Sequence, residues 1–150
     1  MNPELESLLR EHGVLAPGAW RRQAAIGLAL AARVRHLLED ERVISLVDDA
    51  QARLAQDALP REALQELAAT AAQLARSHPG SRSIDGTAHA AVSATHAVAT
   101  ALKPDVVQAA AYAAYAAVYA YASSAVTQPE AFAPEHAQQV AAVRQLLTAT

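Results

Sequence analysis

Forty of the 150 residues are alanine and only five are glycine. That ratio constrains the fold before any pattern is read. Alanine is the strongest helix former because it gives up no side-chain entropy in the helical state, whereas strands favour β-branched and aromatic residues. Runs of the latter are nearly absent, so the chain is predicted to be all-α. Its length suffices for one domain with its own core, and a single helical domain over 1–150 is expected. Alanine side chains bury little surface, so the few large side chains must fix how the helices register.

Proline, glycine and the apolar periodicity divide the chain into six to seven helices packed as a compact bundle. The first is expected over Pro3–His12, with Asn2 as N-cap and Gly13 beyond its end. A second runs from Pro17 to about Asp40; its centre, Ala24 to Ala32, is nine residues without a polar side chain and is expected to be buried on most sides. A third covers Arg42–Ala58 with Val43, Val47, Ala50 and Leu54 as its stripe. A fourth follows Pro60 to about Ser77, burying Leu64, Leu67, Ala68, Ala71 and Leu74. The run 77–86 reads as a loop, with Asp85 capping the next helix. After Thr127-Gln128-Pro129 a seventh helix starts at Ala133-Pro134, with Ala137, Val140, Val143 and Leu147 inward.

The bundle is expected to form around residues 86–126, an alanine-rich stretch broken at Lys103-Pro104-Asp105. Before the break His89, Ser93, His96 and Thr100 are spaced four, three, four; after it Gln108, Tyr112, Tyr115, Tyr119 and Ser123 repeat the pattern. Each set lies on one helical face. If the chain reverses at Pro104, Thr100 meets Gln108, His96 meets Tyr112, Ser93 meets Tyr115 and His89 meets Tyr119. That arrangement is a structural, hydrogen-bonded polar seam that penalises slipped registers. If Pro104 only kinks one long helix, the pairs never meet.

The same residues are poor material for chemistry. His89 and His96 stand about 10 Å apart along a helix at 1.5 Å per residue, whereas one metal favours a spacing of three or four. No Glu has a His three residues later, as a di-iron bundle needs. Ser93 lies between two histidines, but a mid-helix serine has no free amides for an oxyanion hole. With no cysteine, sulfur-ligated zinc and thiol catalysis are excluded. No phosphate loop or nucleophile elbow occurs. No catalytic residue, metal ligand or cofactor is therefore expected, and the protein is read as a non-enzyme.

Charge places the expected contact surface elsewhere. The net charge is −3, but residues 1–38 carry +2 and residues 39–66 carry −5, from eight acids and three arginines. A nucleic-acid partner is not expected without a basic footprint. Glu39, Asp40, Glu41, Asp48 and Asp49 instead offer a surface for a basic protein partner. Val106 to Pro129 is long enough to span a membrane, but alanine, tyrosine and serine insert weakly beside Leu, Ile or Phe, so a membrane protein is not expected. The acidic N-terminal stretch MNPELESLLREHG has no secretion pattern, and a cytoplasmic location is expected.

Residues 94–117, ATHAVATALKPDVVQAAAYAAYAA, with 25–41, AIGLALAARVRHLLEDE, resemble an immunity-protein family of bacterial polymorphic toxin systems, of the immunity family five kind. Some of its members carry the label of an exonuclease subunit, which no motif here supports. His96-Ala97-Val98-Ala99-Thr100-Ala101 and Ala109 to Ala113 match its His-Ala-x-Ala-Thr-Ala core and Ala-Tyr helix. Thr95 stands where the family has glycine, Leu102 where it has a second histidine, and a further histidine is missing. The resemblance implies an intracellular all-helical protein that neutralises a cognate toxin by binding. Two rival readings are a helical structural or regulatory module that self-associates into homo-oligomers, and a small-molecule-binding bundle with the tyrosines as walls.

Overall fold

A computed structural model of the chain describes residues 2–79, 87–121 and 127–149, with side chains of the fifth helix from His89 onward. Asp85, Ser123 and most of the expected loop 77–86 lie outside these residues. Among the described residues there are seven α-helices and no strand: α1 (Pro3–Glu11), α2 (Trp20–Ala32), α3 (Glu41–Ala55), α4 (Arg61–Arg76), α5 (Thr87–Leu102), α6 (Val106–Tyr121) and α7 (Ala133–Thr148). The all-α bundle expected from the alanine content is what the chain forms.

Chain reversal, not a kink, occurs at Pro104. The Lys103–Pro104 peptide is cis, the Asp105 amide donates to the Thr100 carbonyl at 2.7 Å, and Asp105 Oδ1 accepts from the Gln108 amide at 3.1 Å, starting α6. α5 and α6 therefore run antiparallel. Their shared face is nearly all alanine, with Ala94, Ala97, Ala101, Ala109, Ala113 and Ala116 buried. Small side chains let the two backbones approach closely and leave neighbours to supply bulk.

α2 supplies much of it. Ala24, Leu28 and Ala31 join a core with α3, α4, α5 and α6, whereas Ile26 and Leu30 join a second core with Leu5, Leu9, Val140 and Val143 of α1 and α7. A helix shared between two cores needs apolar residues around most of its circumference, which explains the run Ala24 to Ala32.

Two expected boundaries and one expected face differ. α2 begins at Trp20, because Gly18, at φ 89°, turns the chain behind Pro17. It ends at Ala32 instead of Asp40, giving way to a 3₁₀ turn at Arg35–Leu37. That turn sits between Val34 and Leu38, both buried, and core packing here overrides propensity. In α7, Ala137 is exposed while Glu135 and Gln139 are buried. Arg33 satisfies Glu135: its Nη2 donates to both carboxylate oxygens, at 3.1 and 3.2 Å, and its Nε to one of them at 3.3 Å.

Candidate functional site

The polar faces of the hairpin meet in the expected register, but by stacking. His89 lies 5.1 Å from Tyr119 at an interplanar angle of 29°, and His96 lies 5.0 Å from Tyr112 at 21°. The other pairings do not form. Tyr115 turns toward Tyr119 at 5.2 Å and Phe132 at 6.3 Å. Thr100 donates to the His96 carbonyl of its own helix at 2.7 Å, and Gln108 is exposed. Ser93 is buried, and among the described residues no hydrogen bond joins it to Tyr115. The alanine face fills the hairpin interface and displaces the polar residues to its margin. There His89 and Tyr115 reach solvent, so ring tips need not pair with each other.

Burial acts on two imidazoles. It pushes His96 below the ordinary histidine range, helped by the nearby His78, and it depresses His136 in the same way. A histidine that resists protonation only when folded binds fewer protons than in the unfolded chain, so it contributes stability above the unfolded value, about 6.5, and loses it as pH falls through the folded one. Chemical denaturation is expected to give a lower midpoint at pH 5.5 than at pH 8, with the difference shrinking in His96→Gln. A midpoint that rises on acidification is the contrary result.

Glu39 and Asp40 precede α3, Glu41 opens it, and Asp48 and Asp49 lie at its middle; arginines hold three of the five. Asp40 caps α3, accepting from the Arg42 amide at 2.9 Å, and is gripped by the Arg42 guanidinium at 3.0 and 2.8 Å. Arg35 forks onto Asp48 at 2.8 and 2.7 Å. These bonds hold both carboxyls below the usual carboxylate range. Asp49 faces Arg53 at 3.5 Å, and Glu39 lies 3.8 Å from the mostly buried His78. Glu41 is exposed and has no ion pair among the described residues. The net negative field is therefore smaller than a count over 39–66 implies, because Arg35 enters from outside that segment.

Beside the acids lies a feature the sequence reading missed. An open hollow of about 580 Å³ separates α3 from α4, lined by Arg42, Ser45, Leu46, Asp49, Thr70 and Leu74. Leu46 and Leu74 are half-buried against the core and form its floor. Glu41, Ser45 and Asp48 run past it at helical spacing along an exposed line of α3. The available signal was Leu46, an apolar residue at the edge of the stripe of Val43, Val47 and Ala50.

No trio of His, Asp or Glu among the described residues is placed to hold a metal ion, and no described helix is long and apolar enough to cross a membrane. The fold and surface define an alanine-packed all-α bundle with an acidic, partly self-neutralised rim beside an apolar hollow. Comparison with known proteins finds no matching family model, no similar curated protein and no similar solved structure.

Proposed function

We propose that the protein is a non-enzymatic, cytoplasmic binding protein of the immunity type, which neutralises a basic bacterial toxin by direct contact through the acidic line of α3. The observation that supports this reading is the pairing of an acidic rim with an apolar hollow. Charged rims steer and orient a partner, whereas affinity comes from a few side chains seated in desolvated hollows. Here the hollow between Leu46 and Leu74 takes the anchor, and Glu39, Glu41 and Asp49 meet the partner's basic side chains. Arginine forks fix Asp40 and Asp48 beforehand, so fewer side chains must be ordered on binding.

Co-expression with the toxin encoded by a neighbouring gene tests it. The expected result is a complex that survives purification and restores growth of toxin-producing cells. Glu41→Lys combined with Asp49→Lys is expected to weaken the complex at least about tenfold, because rim charges at an interface act on association. The chain should stay folded with a small loss of thermal stability, because Asp49 gives up its exposed pair with Arg53. A folded double variant that binds and protects like the parent would exclude this surface.

A further inference from the structure

A second docking surface lies on the other flank of α3, where α2 runs between α3 and α7. Arg22, Ala25, Ala29 and Arg33 form an outward stripe on α2, spaced three, four, four. Three open hollows of about 420, 500 and 620 Å³ follow that stripe. Adjacent hollows share lining residues: the first two share Ala29 and Leu146, and the last two share Ala142 and Gln145. They form one groove with an alanine floor, walled by Leu54 on the α3 side and Leu146 on the α7 side.

Two properties of the groove describe its occupant. It is apolar at the centre: Leu146 is 41% exposed, one of three large hydrophobic residues so open among those described. A low alanine floor between higher walls has the shape in which an incoming helix packs side chains at i, i+3, i+4 and i+7. Its rim is basic, in a chain whose net charge is −3. Arg21, Arg22, Arg33 and Arg144 line it, against Asp57, bound to Arg21 at 2.8 Å, and Glu135, bound to Arg33 at 3.1 Å. Arg22 and Arg144 are exposed; Arg22 donates one Nη to the His12 carbonyl at 3.1 Å, and neither has a carboxylate partner among the described residues.

We infer that this groove docks an amphipathic helix of a partner protein whose apolar stripe is flanked by Asp or Glu. The leucines and alanines bury the stripe, and Arg22 and Arg144 meet the flanking carboxylates with donor forks suited to them. The surface is independent of the acidic line on α3 and selects the opposite charge.

The probe is a fluorescently labelled synthetic helix with leucines at helical spacing and glutamates on both flanks; its control carries lysines in place of the glutamates. The full chain is expected to bind the glutamate peptide, to ignore the lysine peptide, and to bind less as salt rises. Arg22→Glu with Arg144→Glu is expected to weaken binding at least about tenfold, and Leu146→Asp similarly, as loss of central anchors does. These positions are exposed, so both variants should stay folded, Arg22→Glu giving up only a surface bond to the His12 carbonyl. Glu41→Lys with Asp49→Lys should leave peptide binding unchanged, which separates this proposal from the toxin surface. Equal binding of the two peptides, no binding, or indifference to the groove variants would overturn it. A dimer that Leu146→Asp dissolves while the peptide fails to bind would assign the groove to a second copy of the chain instead.

Discussion

Gly27→Val is expected to remove a large share of the protein's stability, on the order of 3 kcal/mol out of the 5–15 kcal/mol that holds a typical domain folded. Glycine in a helix interior costs about 1 kcal/mol relative to alanine, and Gly27 sits in the middle of α2, the helix that two cores share. Its surroundings explain it. A Cβ at this position would lie 3.2 Å from both Cα and Cβ of Ala101 in α5. The nearest obstacle includes backbone, so no side chain can swing aside. α2 can yield only by a few tenths of an ångström, because a larger shift pulls Leu28 out of one core or Leu30 out of the other. Overpacking usually costs about 1–3 kcal/mol, and backbone obstruction puts this site at the upper end. Gly27→Ala is the informative companion: its gain in helix propensity offsets a displacement of a few tenths of an ångström, so its midpoint should stay near the parent's. Urea unfolding followed by circular dichroism checks both. A parental midpoint for the valine variant would refute the close approach of α2 and α5.

How far the fold was legible follows from what each pattern records. Apolar runs record burial, and Ala24 to Ala32 indicated a helix covered on most sides; the residue within it that sets the α2–α5 distance, Gly27, gave no such signal. Spacing records which side chains share a face. It therefore indicated the register of the α5–α6 hairpin once the chain reversed at Pro104, but not whether the chain would reverse there or only kink. Whether the His/Tyr margin is buried depends on which helices cover the hairpin's flank, and no local pattern carries that. The stripe of Val43, Val47 and Ala50 pointed inward as periodicity requires, and Leu46, at its edge, marked the hollow.

Charge was the least legible property at the candidate site. A sum over 39–66 treats charges as neighbours in sequence, but Arg35 reaches Asp48 across thirteen positions at 2.7 Å, and Arg21 reaches Asp57 at 2.8 Å. Both pairs are exposed and individually contribute little stability. Their consequence is a rim whose unpaired charge is concentrated at Glu39 and Glu41 instead of being shared among five acids. The same pairing leaves Arg22 and Arg144 as exposed cations without carboxylate partners among the described residues, so basic character survives along the groove of a chain that is acidic overall.

Gln139→Ala is expected to cost roughly 2–4 kcal/mol, the sum of a cavity and an orphaned amide. Polar residues are assigned outward by periodicity, yet Gln139 is fully buried because three elements converge on it. Its Nε2 donates to the Ala110 carbonyl of α6 at 2.9 Å. Its Oε1 accepts from Asn2 Nδ2 at 3.2 Å, and that nitrogen also donates to the His136 carbonyl at 3.1 Å. Asn2 Oδ1 in turn caps α1 by accepting from the Leu5 amide at 3.2 Å. One side chain thus ties α7 to α6 and steadies the cap of α1. Gln139→Leu restores most of the volume but not the bonds, so it should lose only the polar part, about 1–3 kcal/mol. Asn2→Ala removes a cap worth about 0.5–2 kcal/mol. Combined with Gln139→Leu it should lose less than the two single losses added, because their shared bond can be lost only once. Strict additivity in denaturant titrations would show that the two amides do not hold each other.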